Sequence, residues 1–255
     1  MVKNMKAVIL AGGFGSRLEE ITKEIPKPLV KVGKYPILIY ILKIYLNHNI
    51  NNFVLALGYK GEKIVEFFLG SKLTKKQKKK IKSGLTIKTK LFNKQCFITF
   101  LDTGLNSMTG GRVLQAGKFL KEKNFHLTYG DGISTVNLKK LEKFHMKKNK
   151  LITVTAVRPP PRFGELIIKQ NKVTSFSEKK TIKTSWINGG FFIVNKKFLK
   201  LIKNEKTILE RDPLEKATKM RQLNAFKHEG FWQCMDTKRD KDKINYFIKQ
   251  KKIKF

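Results

Sequence analysis

Acidic side chains are scarce in this chain. Its 255 residues carry 19 aspartates and glutamates against 55 lysines and arginines, a formal net charge of +36. Only six of the acids are aspartates, so the candidate ligands for a hard metal ion form a short list. Cysteine is scarcer still, with Cys96 and Cys234 alone. Two isolated cysteines in a chain this long argue against a disulfide framework and for a reducing compartment. They also lack the spacing of a zinc site. No apolar run approaches the ~20 residues needed to cross a bilayer. The first apolar stretch is short, runs into glycine and meets Arg17 at once, unlike a signal peptide. A cytoplasmic protein with no membrane partner is expected. Arginine is rare as well, at seven residues. The excess positive charge is therefore lysine, gathered at 75–82, 147–150 and 249–254. A nucleic-acid site usually interleaves arginines and aromatics with its charge, and these runs have almost none. They read as a solvated lysine surface with, at most, weak and salt-sensitive affinity for anions. No specific nucleic-acid partner is expected.

What is present is a globular α/β pattern. Apolar residues make up 41% of the chain, enough for a real core. Strand-like and helix-like segments alternate, which predicts a Rossmann-like mixed, mostly parallel sheet flanked by helices. Strands are expected at 53–57, 85–91, 97–101, 125–129, 151–157, 190–194 and 223–227, with a hairpin at 164–177 around Asn171. Helices are expected from Pro36 to about Asn47, at 61–69, from Thr109 to about Leu120, from an Asn137 cap to about Lys148, at 213–220 and at 238–249. Residues 1–255 read as one domain. Two parts are additions to the core: a basic insertion near 70–84, either helix or mobile loop, and a helical segment near 238–255.

The chain is organised around Lys6–Arg17, KAVILAGGFGSR. An apolar run of this length reads as a buried strand, central in a parallel sheet. Its end, Leu10-Ala11, turns into Gly12-Gly13-Phe14-Gly15-Ser16-Arg17. A glycine-rich turn can aim several N–H groups at phosphate oxygens, and Arg17 adds a planar fixed charge. Lys27 follows between Pro26 and Pro28, a lysine on a stiffened loop. The spacing fits neither a Walker loop nor a dinucleotide fingerprint, and a plain strand-to-helix turn would also use these glycines. Arg17 and Lys27 favour a nucleoside triphosphate site.

Other motifs carry candidate chemistry. Asp131 lies between Gly130 and Gly132 after a β-rich run, where open α/β sheets bind ligands. It suits magnesium held between carboxylate and phosphate, or it is a turn aspartate. Asp236 follows the aromatic stretch of FWQCMDT. A partly buried carboxylate needs a partner, and a metal shared with Asp131 would supply one. Otherwise Asp236 caps the last helix, although Thr237 could do that too. Glu178 and Lys179 offer an acceptor for sugar hydroxyls and a point charge for phosphate, or an exposed ion pair of little worth. Asn188 and Gly189 form a turn with donor and acceptor capacity. Ser107 and Arg112 bracket a second glycine pair before a helix. The four histidines show no ligand spacing and are expected to be structural or on the surface.

As a set these segments carry a resemblance. AVILAGGFGSRL and IPKPLVKVGKYPIL resemble the signature of the sugar-nucleotide pyrophosphorylases. LDTGLNSMTGGR, TYGDG, TVTAVRPPPRFGEL, SFSEK, WINGGFF and GFWQCMDTKRDK resemble the glucose-1-phosphate cytidylyltransferases, in that family's order, from about Met5 to the last helix. Residues 70–98 stand apart from it. The resemblance implies a GT-A-like nucleotidyltransferase core and cytidylyl transfer from CTP to glucose 1-phosphate with Mg2+; the alternatives are the same reaction with UTP, dTTP or another sugar 1-phosphate, or a catalytically inactive regulatory copy. It implies nucleotide contacts from Leu10 through Arg17 and from Lys27, Ser107, Arg112, Gly130 and Asp131. Gly132, Glu178, Lys179, Asn188 and Gly189 would contact the sugar phosphate, and Asp131 and Asp236 the metal. Arg17, Lys27 and Asp131 would carry the chemistry. A homo-oligomer is expected, as is a role in making dideoxy-sugar precursors for surface polysaccharides. The sequence departs from the family pattern at Lys180, where proline is common, and at Ser16, where threonine is.

Overall fold

A computed structural model describes residues 5–159, 165–177, 185–250 and 253. In chain order these form β1 (Ala7–Ala11), α1 (Glu19–Thr22), β2 (Lys31–Val32), β3 (Tyr35–Pro36), α2 (Ile37–Asn47), β4 (Asn52–Leu57), α3 (Gly61–Leu69) and α4 (Lys75–Ile81). There follow β5 (Leu85–Leu91), β6 (Lys94–Asp102), α5 (Thr109–Phe119), β7 (Asn124–Tyr129), β8 (Gly132–Ser134), α6 (Leu138–Lys148) and β9 (Ile152–Val157). The last set is β10 (Glu165–Lys169), β11 (Lys172–Ser177), β12 (Ile187–Asn195), α7 (Asp212–Lys219), β13 (Leu223–His228), β14 (Trp232–Cys234) and α8 (Lys238–Lys249).

Eight strands make one sheet in the order β13-β9-β12-β7-β1-β4-β6-β5. The pairs β1–β4, β1–β7, β4–β6 and β9–β13 are parallel. Only β12 and the edge strand β5 run the other way. This is the mixed, mostly parallel sheet that the alternating pattern predicts. β1 is buried along its whole length. Ala7, Ile9 and Ala11 face one core and Val8 and Leu10 the other, the period of two expected of a strand covered on both faces. Helices α2, α3, α6 and α8 supply side chains to the first core, α5 and α7 to the second. The chain leaves β1 for β4 on one side and returns to β7 on the other. The crevice between the carboxyl ends of β1 and β7 is therefore the topological switch point, where such sheets bind ligands.

The basic insertion is a helix. Thr74 caps α4 and Gln77 completes a capping box, and Ile81 is buried. One apolar anchor and a cap suffice to order a run that composition alone leaves open. Among the described residues no helix is long and apolar enough to cross a membrane.

Two of the histidines are core residues. His126 meets Glu142 at 2.8 Å and His145 meets Thr153 at 2.8 Å. Burial, with His126 nearby, pushes His145 down to about 4. A histidine depressed in the fold is neutral there, so its contribution is whole above the unfolded value near 6.5 and is lost as pH falls toward 4. Stability should therefore drop by roughly 2–3 kcal/mol between pH 6.5 and 4 through His145 alone. Urea melts across that range should show a shallower decline for His145→Gln than for the parent; equal slopes would remove this histidine from the acid response.

Candidate active site

The glycine loop leaves β1 in a crowded place. A Cβ on Gly12 would lie 2.4 Å from the Arg112 guanidinium, and one on Gly58 equally close. Gly13 is different: a Cβ there would meet nothing within 4 Å, so its bare backbone faces the open cleft. Gly15 has φ +70°, a turn that favours glycine. Phe14 is exposed beside Tyr59, ring centroids 5.1 Å apart. Ser16–Leu18 forms a single 3-10 turn, which leaves the Arg17 side chain 68% exposed.

Lys27 comes from a 3-10 turn fixed by its flanking prolines. Its ammonium lies 2.6 Å from Asp131 Oδ2 and 2.7 Å from Asp236 Oδ1. Arg17 Nη1 lies 2.9 Å from Asp236 Oδ2. Four charged side chains, from the loop after β1, the end of β7 and the segment after β14, thus meet at the switch point. Burial works against the Lys27 charge, yet the two carboxylates together hold its pKa above the ordinary lysine range. Burial likewise opposes the Asp236 charge. Lys27 and then Arg17 outweigh it and hold the carboxyl below its usual range.

Local geometry explains how the two aspartates meet. β7 delivers Gly130, whose absent Cβ would stand 2.6 Å from Leu10 O, and then Asp131. β8 pairs antiparallel with β14, setting Cys234 opposite Gly132. Met235 N then donates to Asp131 O at 2.9 Å. This short ribbon carries Asp236 to Asp131 across a hundred residues. The capping role falls to Thr237, whose hydroxyl accepts from Asp240 N in a capping box. Asp236 is left free for the cluster.

The donor set suits a divalent cation. Among the described residues no group of three or more histidine, cysteine, aspartate or glutamate side chains is placed to hold a metal ion by itself. Two convergent carboxylates fit a hard ion that takes its other oxygens from phosphate and water. The neighbouring Cys234 thiol is pushed up to about 12 by burial and by Asp236, and a hard ion prefers the carboxylate oxygens to sulfur.

A cleft of about 410 Å³ opens over this cluster. Of the residues expected from sequence to meet a nucleotide, Leu10, Ala11, Gly13, Phe14, Gly15, Ser16, Arg17, Lys27, Ser107, Arg112, Gly130 and Asp131 line it. Gly12 lies behind the wall. Arg112 lines the cleft, but its guanidinium is buried and engaged. It donates to the carbonyls of Leu57, Gly104, Gly12 and Leu105 and to Thr103 Oγ1, at 2.7–3.2 Å. It ties together the turns that follow β1, β4 and β6. Ser107 donates to Thr103 O and accepts from Gln115. Asn188 reaches the Tyr129 hydroxyl at 3.1 Å, and Gly189 O accepts from Trp232 Nε1 at 2.7 Å. A Cβ on Gly132 would meet nothing within 4 Å. Glu178 and Lys179 lie outside the described residues. Sequence reasoning missed Tyr129, Thr109 and Glu210. Thr109 Oγ1 donates to Glu210 at 2.7 Å and Tyr129 donates to the same carboxylate. No spacing in the chain signals this meeting.

A glycine loop, a cationic clamp and paired carboxylates at the switch point of such a sheet define a nucleotide-handling α/β enzyme. The chain belongs to the nucleotidyl transferase family, whose model matches residues 6–240. It is 41% identical to a probable glucose-1-phosphate cytidylyltransferase of Bacillus subtilis, over 94% of this chain and 95% of that protein. It is 42% identical to the glucose-1-phosphate cytidylyltransferase of Salmonella typhimurium, over 93% of each chain. In fold it is similar to HddC from Yersinia pseudotuberculosis complexed with GMP-PN, with a TM-score of 0.71 at 23% identity, covering 96% of this chain and 99% of that one. A UDP-glucose pyrophosphorylase complexed with UDP-glucose gives the same TM-score at 14% identity, covering 98% of this chain and all of the other.

Proposed function

We propose that this protein is a glucose-1-phosphate cytidylyltransferase, converting CTP and α-D-glucose 1-phosphate into CDP-glucose and pyrophosphate. The observation that carries this is the convergence of Lys27, Asp131 and Asp236 in a chain about two-fifths identical, nearly end to end, to proteins of that name. A phosphate oxygen of glucose 1-phosphate attacks the α-phosphorus of CTP, and the bond from that phosphorus to the β-phosphate oxygen breaks. The attacking phosphate is already anionic, so no strong general base is needed. Two polyanions must be brought together, and charge neutralisation with in-line positioning should dominate the rate.

Arg17, exposed at the cleft mouth, holds the departing pyrophosphate. Lys27 spans the α-phosphate and the attacking phosphate. Ser107 and the glycine loop seat the nucleotide, while Arg112 keeps the loop turns in register. Glu178, Lys179, Asn188, Gly189 and Gly132 receive the sugar phosphate. Asp131 and Asp236 hold magnesium, which supplies positive charge against the phosphates when bound. Residues 1–255 act as one catalytic domain that works in the cytoplasm as a homo-oligomer, which light scattering would check.

The decisive assay is pyrophosphate release from CTP, UTP, dTTP and GTP in turn, each with glucose 1-phosphate and magnesium. A site that hydrogen-bonds the base edge leaves buried groups unpaired with the wrong base. CTP should therefore lead the other pyrimidine nucleotides by ~100-fold or more in kcat/KM. Equal turnover of all three would overturn the assignment to CTP.

A further inference from the structure

A hydrogen-bond chain that meets the cleft at Thr109 and Tyr129 has its direction set at both ends by backbone amides. At one end Gly190 N donates to Asn188 Oδ1 at 2.9 Å. That fixes the Asn188 amide so that Nδ2 donates to the Tyr129 hydroxyl at 3.1 Å. At the other end Leu209 N donates to Thr109 Oγ1 at 2.9 Å. Each hydroxyl already accepts a hydrogen bond, so each sends its single proton onward. Both protons go to one side chain. Tyr129 donates to Glu210 Oε1 at 2.5 Å and Thr109 to Glu210 Oε2 at 2.7 Å. An ionised carboxylate accepts at both oxygens, whereas an amide of the same shape accepts at only one. The glutamate accepts both protons within the chain.

The two ends of the chain belong to different elements. Thr109 opens α5 and lines the nucleotide cleft. Asn188 belongs to β12, on the side assigned above to the sugar. The Tyr129 ring between them is wedged against Gly190, where an added Cβ would stand 2.7 Å from the ring. Burial, together with Glu210, raises the phenol well above its usual range, so it remains a donor at working pH.

We infer that Glu210 is a positioning residue that locks the nucleotide side of the cleft to the sugar side, through Thr109 and Tyr129, and so sets the distance between the reacting phosphates. In-line displacement is sensitive to such distances, and small misplacements cost large factors in rate. This rests on the function proposed above.

The test is a double-mutant cycle of Glu210→Gln, Tyr129→Phe and the pair. It is read by pyrophosphate release at varied CTP and varied glucose 1-phosphate, and by thermal unfolding of the same proteins. Glu210→Gln should lower kcat/KM for both substrates by about 10- to 50-fold, because one hydroxyl loses its acceptor. Tyr129→Phe removes one of the two protons, and the glutamine oxygen can then take the other from Thr109. The double variant should therefore be no worse than Tyr129→Phe alone, and its unfolding midpoint should follow the same pattern. Losses that multiply in the double variant would overturn the chain, since independent sites add in free energy. A Glu210→Gln effect confined to one substrate, or to unfolding alone, would overturn the locking role. A parent protein inactive with CTP and glucose 1-phosphate would instead reject the proposed function, while the unfolding cycle would still report on the chain.

Discussion

Asp236→Asn should fold like the parent, need more magnesium and turn over at least ~100-fold more slowly, through loss of transition-state charge stabilisation. The substitution keeps size and shape and removes one charge. Folding should survive because Thr237 and Asp240, not Asp236, cap α8. Lys27 also keeps Asp131 as a partner at 2.6 Å. What is lost is half of the carboxylate pair and the seat of Arg17. The sign of the pH effect follows from the depressed carboxyl. Asp236 contributes stability above its unfolded value near 4, and that contribution disappears as pH falls through its lower folded value. Above that window the variant and parent should differ in rate and metal requirement. Magnesium titrations of pyrophosphate release, beside thermal melts, would measure both. A titration curve that overlays the parent's would refute the metal assignment.

Lys27→Ala should cut turnover by about 100- to 1,000-fold, the cost of removing one positioned charge from a phosphate-transfer site. Its response to metal should be opposite to that of Asp236→Asn. In the sequence Lys27 and the aspartates are separate devices, a phosphate clamp and a metal pair. In the structure the ammonium is bonded to both carboxylates, so a cation entering between them competes with it. Without Lys27 only Arg17, on the Asp236 side, still offsets the two carboxylates, and magnesium should half-saturate at a lower concentration than in the parent. Added magnesium should not restore the rate, because the missing charge acts on phosphate. Magnesium titrations at fixed CTP and glucose 1-phosphate would decide. A defect cured by excess magnesium would show that Lys27 does nothing the metal cannot do.

The two variants together explain why so basic a chain places its few aspartates so carefully. With 55 cationic side chains and six aspartates, general phosphate attraction is abundant and metal ligands are not. Asp131 and Asp236 converge at one point, and Asp240 closes the cap beside them.

Much of the fold was legible in the chain because its signals are local. The apolar run at Ala7–Ala11 is long enough for a strand, has no polar face, and ends in glycine, so a buried central strand with a tight exit was readable directly. The Asn137 cap was readable because an N-cap acts within one turn, and its side chain does accept from Lys140 N. The short strands β8 and β14 were not. Three residues each carry too little periodicity to register, and their pairing spans about a hundred positions. The basic run at 75–82 was ambiguous because its composition is all charge; a single buried Ile81 and a capping box decided for helix.

The site divides along the same line. The strand-end glycines, the proline-held Lys27 and the glycine-flanked Asp131 are all readable in the chain, because backbone geometry next to a strand end depends on immediate neighbours. What each of them touches depends on contacts made across the fold. Gly12 must be bare because Arg112, a hundred residues on, packs against it. Arg112 ties together three loop turns by donating to buried carbonyls. Asp236 joins Asp131 because a two-strand ribbon brings it there, and Thr237 relieves it of capping. Glu210 finds its role only where Tyr129 and Thr109 arrive from 81 and 101 positions away. Hydrogen bonds and ion pairs act over a few ångströms in space, and separation along the chain leaves no trace of them in local pattern.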